Sequence, residues 1–171
     1  MLKATIALLL SSSSTVAMTD ECKFNKESAN QSFATIARML ENKEIKEINI
    51  RYFSVGFYTR VPLPMRELEA KIDPPSSNPV ISLKEYNIKL PSDKDDNLAS
   101  AIRRTVMREP DKVPPDLRRR INFVDQHGRL ISSIYFGTKN TPSIKAYIND
   151  ICVDLSPEVY DWISGIVNNT E

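Results

Sequence analysis

The 171-residue chain contains a single histidine, His127. A Ser-His-Asp or Cys-His mechanism would need that imidazole as its base, beside a nucleophile. His127 stands in Asp125-Gln126-His127-Gly128, which reads as the tip of a β-hairpin, and no Gly-x-Ser-x-Gly elbow occurs in the chain. The pattern therefore predicts an exposed turn residue with no part in catalysis. Asp93, Asp95 and Asn97 alternate like the opening of a calcium loop. Leu98 stands where such a loop needs glycine and Arg104 where it needs glutamate, and those are its most demanding positions. The same acids suit the positive end of a helix. Glu67, Glu69, Glu85 and Asp125 could in principle supply a carboxylate pair for glycoside hydrolysis. The lone tryptophan, Trp162, falls on the expected buried stripe of a helix, where it offers no sugar platform.

Cys22 and Cys152 are the only cysteines. Their wide separation gives no local metal-ligand spacing, and one histidine does not complete a zinc site without distant carboxylates. In an oxidising compartment the pair is expected to form one disulfide, Cys22–Cys152. The chain has 4 glycines against 11 prolines. Glycine lets backbone cradle phosphate groups, so its scarcity argues against nucleotide enzymes. No cofactor and no metal are expected.

Arginine and tyrosine, the residues most enriched at interface hot spots, mark the alternative to catalysis. Arg118, Arg119 and Arg120 stand consecutively at the end of a basic stretch that starts at Arg103. Tyr58 and Arg60 lie in Phe57-Tyr-Thr-Arg-Val-Pro-Leu-Pro64, whose prolines reduce the entropy lost on binding. These five residues form the expected binding set. The acidic tail, with Asp150, Asp154, Glu158, Asp161 and Glu171, could instead pair with the basic stretch across the fold.

The elements that must position these residues follow from periodicity. Phe33, Ile36, Ala37 and Leu40 predict an amphipathic helix over 28–42, and Leu98, Ala101, Ile102 and Val106 predict another over 95–107. A short helix is expected over 65–72. Alternation predicts strands over 45–55, 80–90, 117–124 and 130–136, the last two joined at Gly128 in a left-handed conformation. Asn149-Asp150 reads as the two-residue turn of a hairpin. Ile144, Ala146, Ile148, Ile151, Val153 and Leu155 should share one face of it, and Tyr147 and Cys152 the other. The segment carrying Cys22 should cross that other face. A last helix is expected with Ser156 as N-cap, Pro157 as its first residue, and Val159, Trp162, Ile163 and Ile166 buried. The fold class is α+β: a single domain whose mostly antiparallel sheet is covered by helices on one face.

Residues 1–17 read as a cleavable export signal. Lys3 is the only charge before Asp20, Ala4 to Leu10 are almost wholly apolar, and Thr15 and Ala17 occupy the small-residue positions of a cleavage site. Cleavage is expected before Met18 or one residue later. The domain then runs from 18 to 171 and is periplasmic or secreted. The whole chain has 23 Lys and Arg against 22 Asp and Glu. Loss of Lys3 with the leader makes the two equal, which argues against nucleic acid as a partner. No later stretch is long and apolar enough to span a bilayer. The expected function is a non-catalytic protein-binding module, of inhibitor or immunity type. A small exported hydrolase using carboxylates and an envelope-assembly or structural component are the alternatives.

Overall fold

Asn25 opens the first helix. Its side chain accepts the Ser28 N–H at 3.0 Å and satisfies one of the donors that every helix start leaves over. The helix that follows, α1 (Lys26–Glu41), buries Ala29, Phe33, Ile36, Ala37 and Leu40 along one stripe. It ends where Lys43 takes a left-handed φ of 59°, with Lys43 and Glu44 N–H groups bonded back to the carbonyls of Leu40 and Met39. This computed structural model describes residues 23–53, 83–90, 95–111, 116–140 and 142–168.

The strands are β1 (Ile45–Phe53), β2 (Leu83–Lys89), β3 (Met107–Arg108), β4 (Leu117–Asp125), β5 (Leu130–Asn140), β6 (Ser143–Ile148) and β7 (Ile151–Leu155). They form one seven-stranded sheet in the order β2-β1-β4-β5-β6-β7-β3. Every pairing between these strands is antiparallel. Two further helices are α2 (Asp95–Arg104) and α3 (Glu158–Asn168). α1 packs on α2 and α2 on α3, and this layer covers one face of the sheet. Ile48, Ile50, Ile121, Phe123, Ile134 and Phe136 supply the sheet side of the core and are all essentially inaccessible. The architecture is the expected single α+β domain with an antiparallel sheet and helices.

The last hairpin has the expected register. Ile144 faces Leu155, Ala146 faces Val153 and Ile148 faces Ile151, while Tyr147 pairs with Cys152 in the opposite sense. Asn149 adopts φ 56° in its turn, and Gly128 adopts φ 77° in the β4–β5 turn. The Asp125 carboxylate organises that turn. It accepts the His127 and Arg129 N–H groups at 2.8 Å and the Arg129 guanidinium at 2.7 Å.

Four expectations need correction. The helix expected over 95–107 stops at Arg104, because the Thr105 hydroxyl and N–H turn back to the Ala101 carbonyl and Met107 pairs with Leu155. Val106, expected on the buried stripe, is 52% exposed. Ser156 lies one residue outside the cap of α3. The Pro157 carbonyl accepts the first helical bond, from Asp161 N–H at 2.8 Å. The Ser156 hydroxyl instead takes the Val106 N–H at 2.7 Å and meets the Glu158 carboxylate. Trp162 is only half-buried; Val159, Ile163, Ile166 and Val167 make the stripe.

The helix expected over 65–72, Tyr58, Arg60, Glu67, Glu69, Asp93 and the leader lie outside the described residues, as does Cys22. The chain just after Cys22 runs beside the start of β7. Lys23 bridges Ile151 in parallel, and its carbonyl accepts the Cys152 N–H at 3.3 Å.

Candidate functional site

Alternation along β1 sends Ile48, Ile50 and Tyr52 into the core and leaves Asn49 and Arg51 on the face away from the helices. Antiparallel pairing then places side chains of four neighbouring strands in line. Asn87, Asn49, Asn122 and Ser133 form one row across β2, β1, β4 and β5. Two residues further along the strands lies a longer row: Glu85, Arg51, Arg120, Tyr135, Tyr147 and Cys152, one from each of six strands.

The rows are hydrogen-bonded to each other and within themselves. The Asn49 amide donates to Glu85 Oε1 at 2.6 Å and also to Asn87 Oδ1. Arg51 Nε donates to Glu85 Oε2 at 3.0 Å. The Ser133 hydroxyl donates to Asn122 Oδ1 at 2.8 Å. Partial burial pushes the Glu85 carboxyl upward. The hydrogen bond from Asn49, the charge of Arg51, and further bonds from Asn87 and Arg51 outweigh it, so the net shift is downward. Glu85 therefore stays ionised at neutral pH.

Arg51 and Arg120 stand directly opposite each other on β1 and β4. Like charges in that position repel. Glu85 offsets the repulsion at Arg51, and the ring of Tyr135, 5.4 Å from the Arg120 guanidinium carbon, offsets it at Arg120. Tyr135, Tyr147, Cys152, Phe53 and Leu117 form a small buried cluster on this side of the sheet. At the β2 end the face opens, and Glu85, Asn87 and Lys89 are exposed.

The expected binding residues do not share one surface. Arg120 belongs to the long row. Arg118 is engaged close to the chain, its guanidinium 2.6 Å from the Asp116 carboxylate. Arg119, expected in the binding set, points the other way and is buried, 5% exposed. Its guanidinium lies 4.4 Å from the centre of the Tyr160 ring and donates to Ser164 Oγ at 2.5 Å, both on α3. A strand's period of two separates it from Arg120.

Of the carboxylates weighed for hydrolysis, the two among the described residues, Asp125 and Glu85, have other tasks. Asp125 holds its turn. A backbone hydrogen bond from Arg129 is the chief cause that holds its pKa below the usual carboxylate value; burial opposes this, and the Arg129 side chain and the His127 N–H add to the lowering. Glu85 is tied to Asn49 and Arg51, as above. His127 is exposed in the turn. Asp95 and Asn97 open α2, which is the helical reading of that acidic stretch. Among the described residues no three His, Cys, Asp or Glu side chains converge as metal ligands. Nor is any described helix long and apolar enough to cross a membrane.

Asn49, Arg51, Asn87 and Asn122 escaped the sequence reading as a set. Alternation identified Asn49 and Arg51 as the polar side of β1, but only non-local pairing shows which strands flank them. No family model, curated protein or solved structure matches this chain.

Proposed function

We propose that the chain is an exported, non-catalytic protein-binding module that uses the face of its sheet opposite α1, α2 and α3. The in-register rows carry this reading. They hold Arg51, Glu85, Asn49 and Asn87 in fixed geometry by mutual hydrogen bonds, so little side-chain entropy is lost when a partner docks. Arginine flanked by tyrosine and uncharged amides is the composition of an interface centre. Export and a periplasmic or secreted location rest on the leader. A Cys22–Cys152 disulfide belongs to the same proposal. The Lys23–Ile151 bridge and the bond from Cys152 N–H to the Lys23 carbonyl bring the backbone next to Cys22 alongside Cys152, and a bridge needs Cα atoms within about 7 Å.

The decisive experiment uses the exported protein as bait in extract of its source cells. Wild type is compared with Asn49→Ala/Arg51→Ala and with Gln126→Ala, a control on the exposed hairpin tip. A stoichiometric protein retained by wild type and the control, and weakened at least about tenfold by the double change, supports the reading. Equal retention by all three baits, or no stoichiometric protein, sinks it. N-terminal sequencing of the exported chain should begin at Met18 or Thr19. Thiol labelling of the denatured, unreduced chain should find no reactive cysteine.

A further inference from the structure

On the helix side of the sheet, away from the proposed interface, α1, the start of β5 and the β6–β7 turn line an open pocket of about 300 Å³. That is the lower end of the range for small-molecule sites, about 300–1,000 Å³. Not one of its eight lining residues is ionisable. Ile131 makes a partly exposed aliphatic patch above the fully buried Ile36, and Gln31, Thr35, Ser132 and Asn149 place amides and hydroxyls around it.

Asn149 is held in place. Its left-handed backbone is one that asparagine tolerates better than other non-glycine residues. Its Oδ1 accepts from the Ser133 N–H at 2.9 Å and the Ser132 hydroxyl at 3.2 Å. With the oxygen occupied on the protein side, the amide orientation is fixed and the two Nδ2 donors are left for other partners. The side chains of Gln31 and Thr35 have no hydrogen-bond partner among the described residues. A preorganised donor pair, two unused uncharged polar groups and an apolar patch thus converge on one space.

We infer that this pocket is a binding site for a neutral polyhydroxylated small molecule about the size of one sugar ring. Alternating hydroxyls would meet the Asn149 and Gln31 amides and the Thr35 hydroxyl, and the C–H face of the ring would lie on Ile131. An anionic or cationic ligand would find no counter-charge and would have to be desolvated without compensation. The site lacks an aromatic platform, which sets the expected affinity in the millimolar range, about −4 kcal/mol at 1 mM.

The test is a titration of the full mature chain, isotope-labelled and followed by amide NMR. The probes are glucose, galactose and N-acetylglucosamine, with glucuronate as the charged comparison. At least one neutral sugar should give saturable shifts at the Asn149 side-chain amide and at the Ser132 and Ser133 N–H groups. Asn149→Gly keeps the left-handed backbone. Thr35→Val, nearly isosteric, leaves the turn untouched and guards against a misfolded Asn149 variant. Each should weaken binding by about 2- to 10-fold, the value of one uncharged hydrogen bond. No saturable shift with any neutral sugar up to about 100 mM, far above the expected millimolar range, overturns the proposal. So does glucuronate binding as tightly as the best neutral sugar, or full affinity in a folded Thr35→Val variant.

Discussion

Arg119→Ala should lower stability by about 2 kcal/mol, the net of three effects. The guanidinium on Tyr160 is buried, and a desolvated cation–π contact contributes up to about 2 kcal/mol. The bond to Ser164 Oγ is made by a charged donor, a class that contributes about 1.5–3 kcal/mol. Against these stands the cost of holding a guanidinium 5% exposed with no carboxylate paired to it among the described residues. Truncation removes that cost along with the contacts. For a domain of this size about 2 kcal/mol corresponds to a fall in Tm of roughly 4–8 °C. Arg119→Met loses the same three effects but keeps an aliphatic stem against Tyr160, so its Tm should fall by less than that of Arg119→Ala. Thermal unfolding followed by circular dichroism measures both. An unchanged Tm for Arg119→Ala would refute the reasoning, as would an equal fall for both variants, since the packed stem would then contribute nothing.

Lys43→Gly should raise stability. The left-handed φ of 59° costs a non-glycine residue about 1–2 kcal/mol, and the extra freedom glycine gives the unfolded chain takes back about half. A Tm gain of about 2–4 °C is expected, and a loss would show that the lysine side chain holds the turn. Acid should unpick the β4–β5 turn. The Asp125 carboxyl is lowered in the folded state. Its contribution is therefore complete above the unfolded value, near pH 4, and vanishes as the pH falls through the lower folded value. Asp125→Asn should flatten the decline of Tm below about pH 4; a profile as steep as wild type would assign acid sensitivity to other groups. His127→Ala should leave Tm almost unchanged, within about 0.5 kcal/mol, and leave partner binding intact. Loss of function at constant Tm would restore the histidine as a working group.

Period and punctuation made much of this fold legible. Phe33, Ile36, Ala37 and Leu40 marked α1, and the alternation through Asn149-Asp150 set the register of the last hairpin, because both patterns are local. Three consecutive arginines were less informative. Only the strand assignment divides Arg119 from Arg120, and only the position of α3 shows that Tyr160 waits for the buried one. The two-residue β3 carried no periodic signal at all; it exists because Met107 meets Leu155. The polar rows were illegible for the same reason. Asn49, Asn87 and Asn122 lie far apart in sequence and are joined by sheet order.

That sheet order also governs when the protein can fold. From β4 to β7 each strand pairs with its successor, so loop-closure entropy is small and the meander can assemble early. β1 ends at Phe53, yet its inner neighbour β4 begins only at Leu117. A chain emerging N-terminus first can pair β1 with β2, but the other edge of β1 has no strand to join until β4 has been made. Nucleation in the meander implies that Ile134→Val slows refolding, whereas Ile48→Val mainly speeds unfolding, which stopped-flow measurements separate. In this topology the inner edge of β1 is closed only by a strand made more than sixty residues after it.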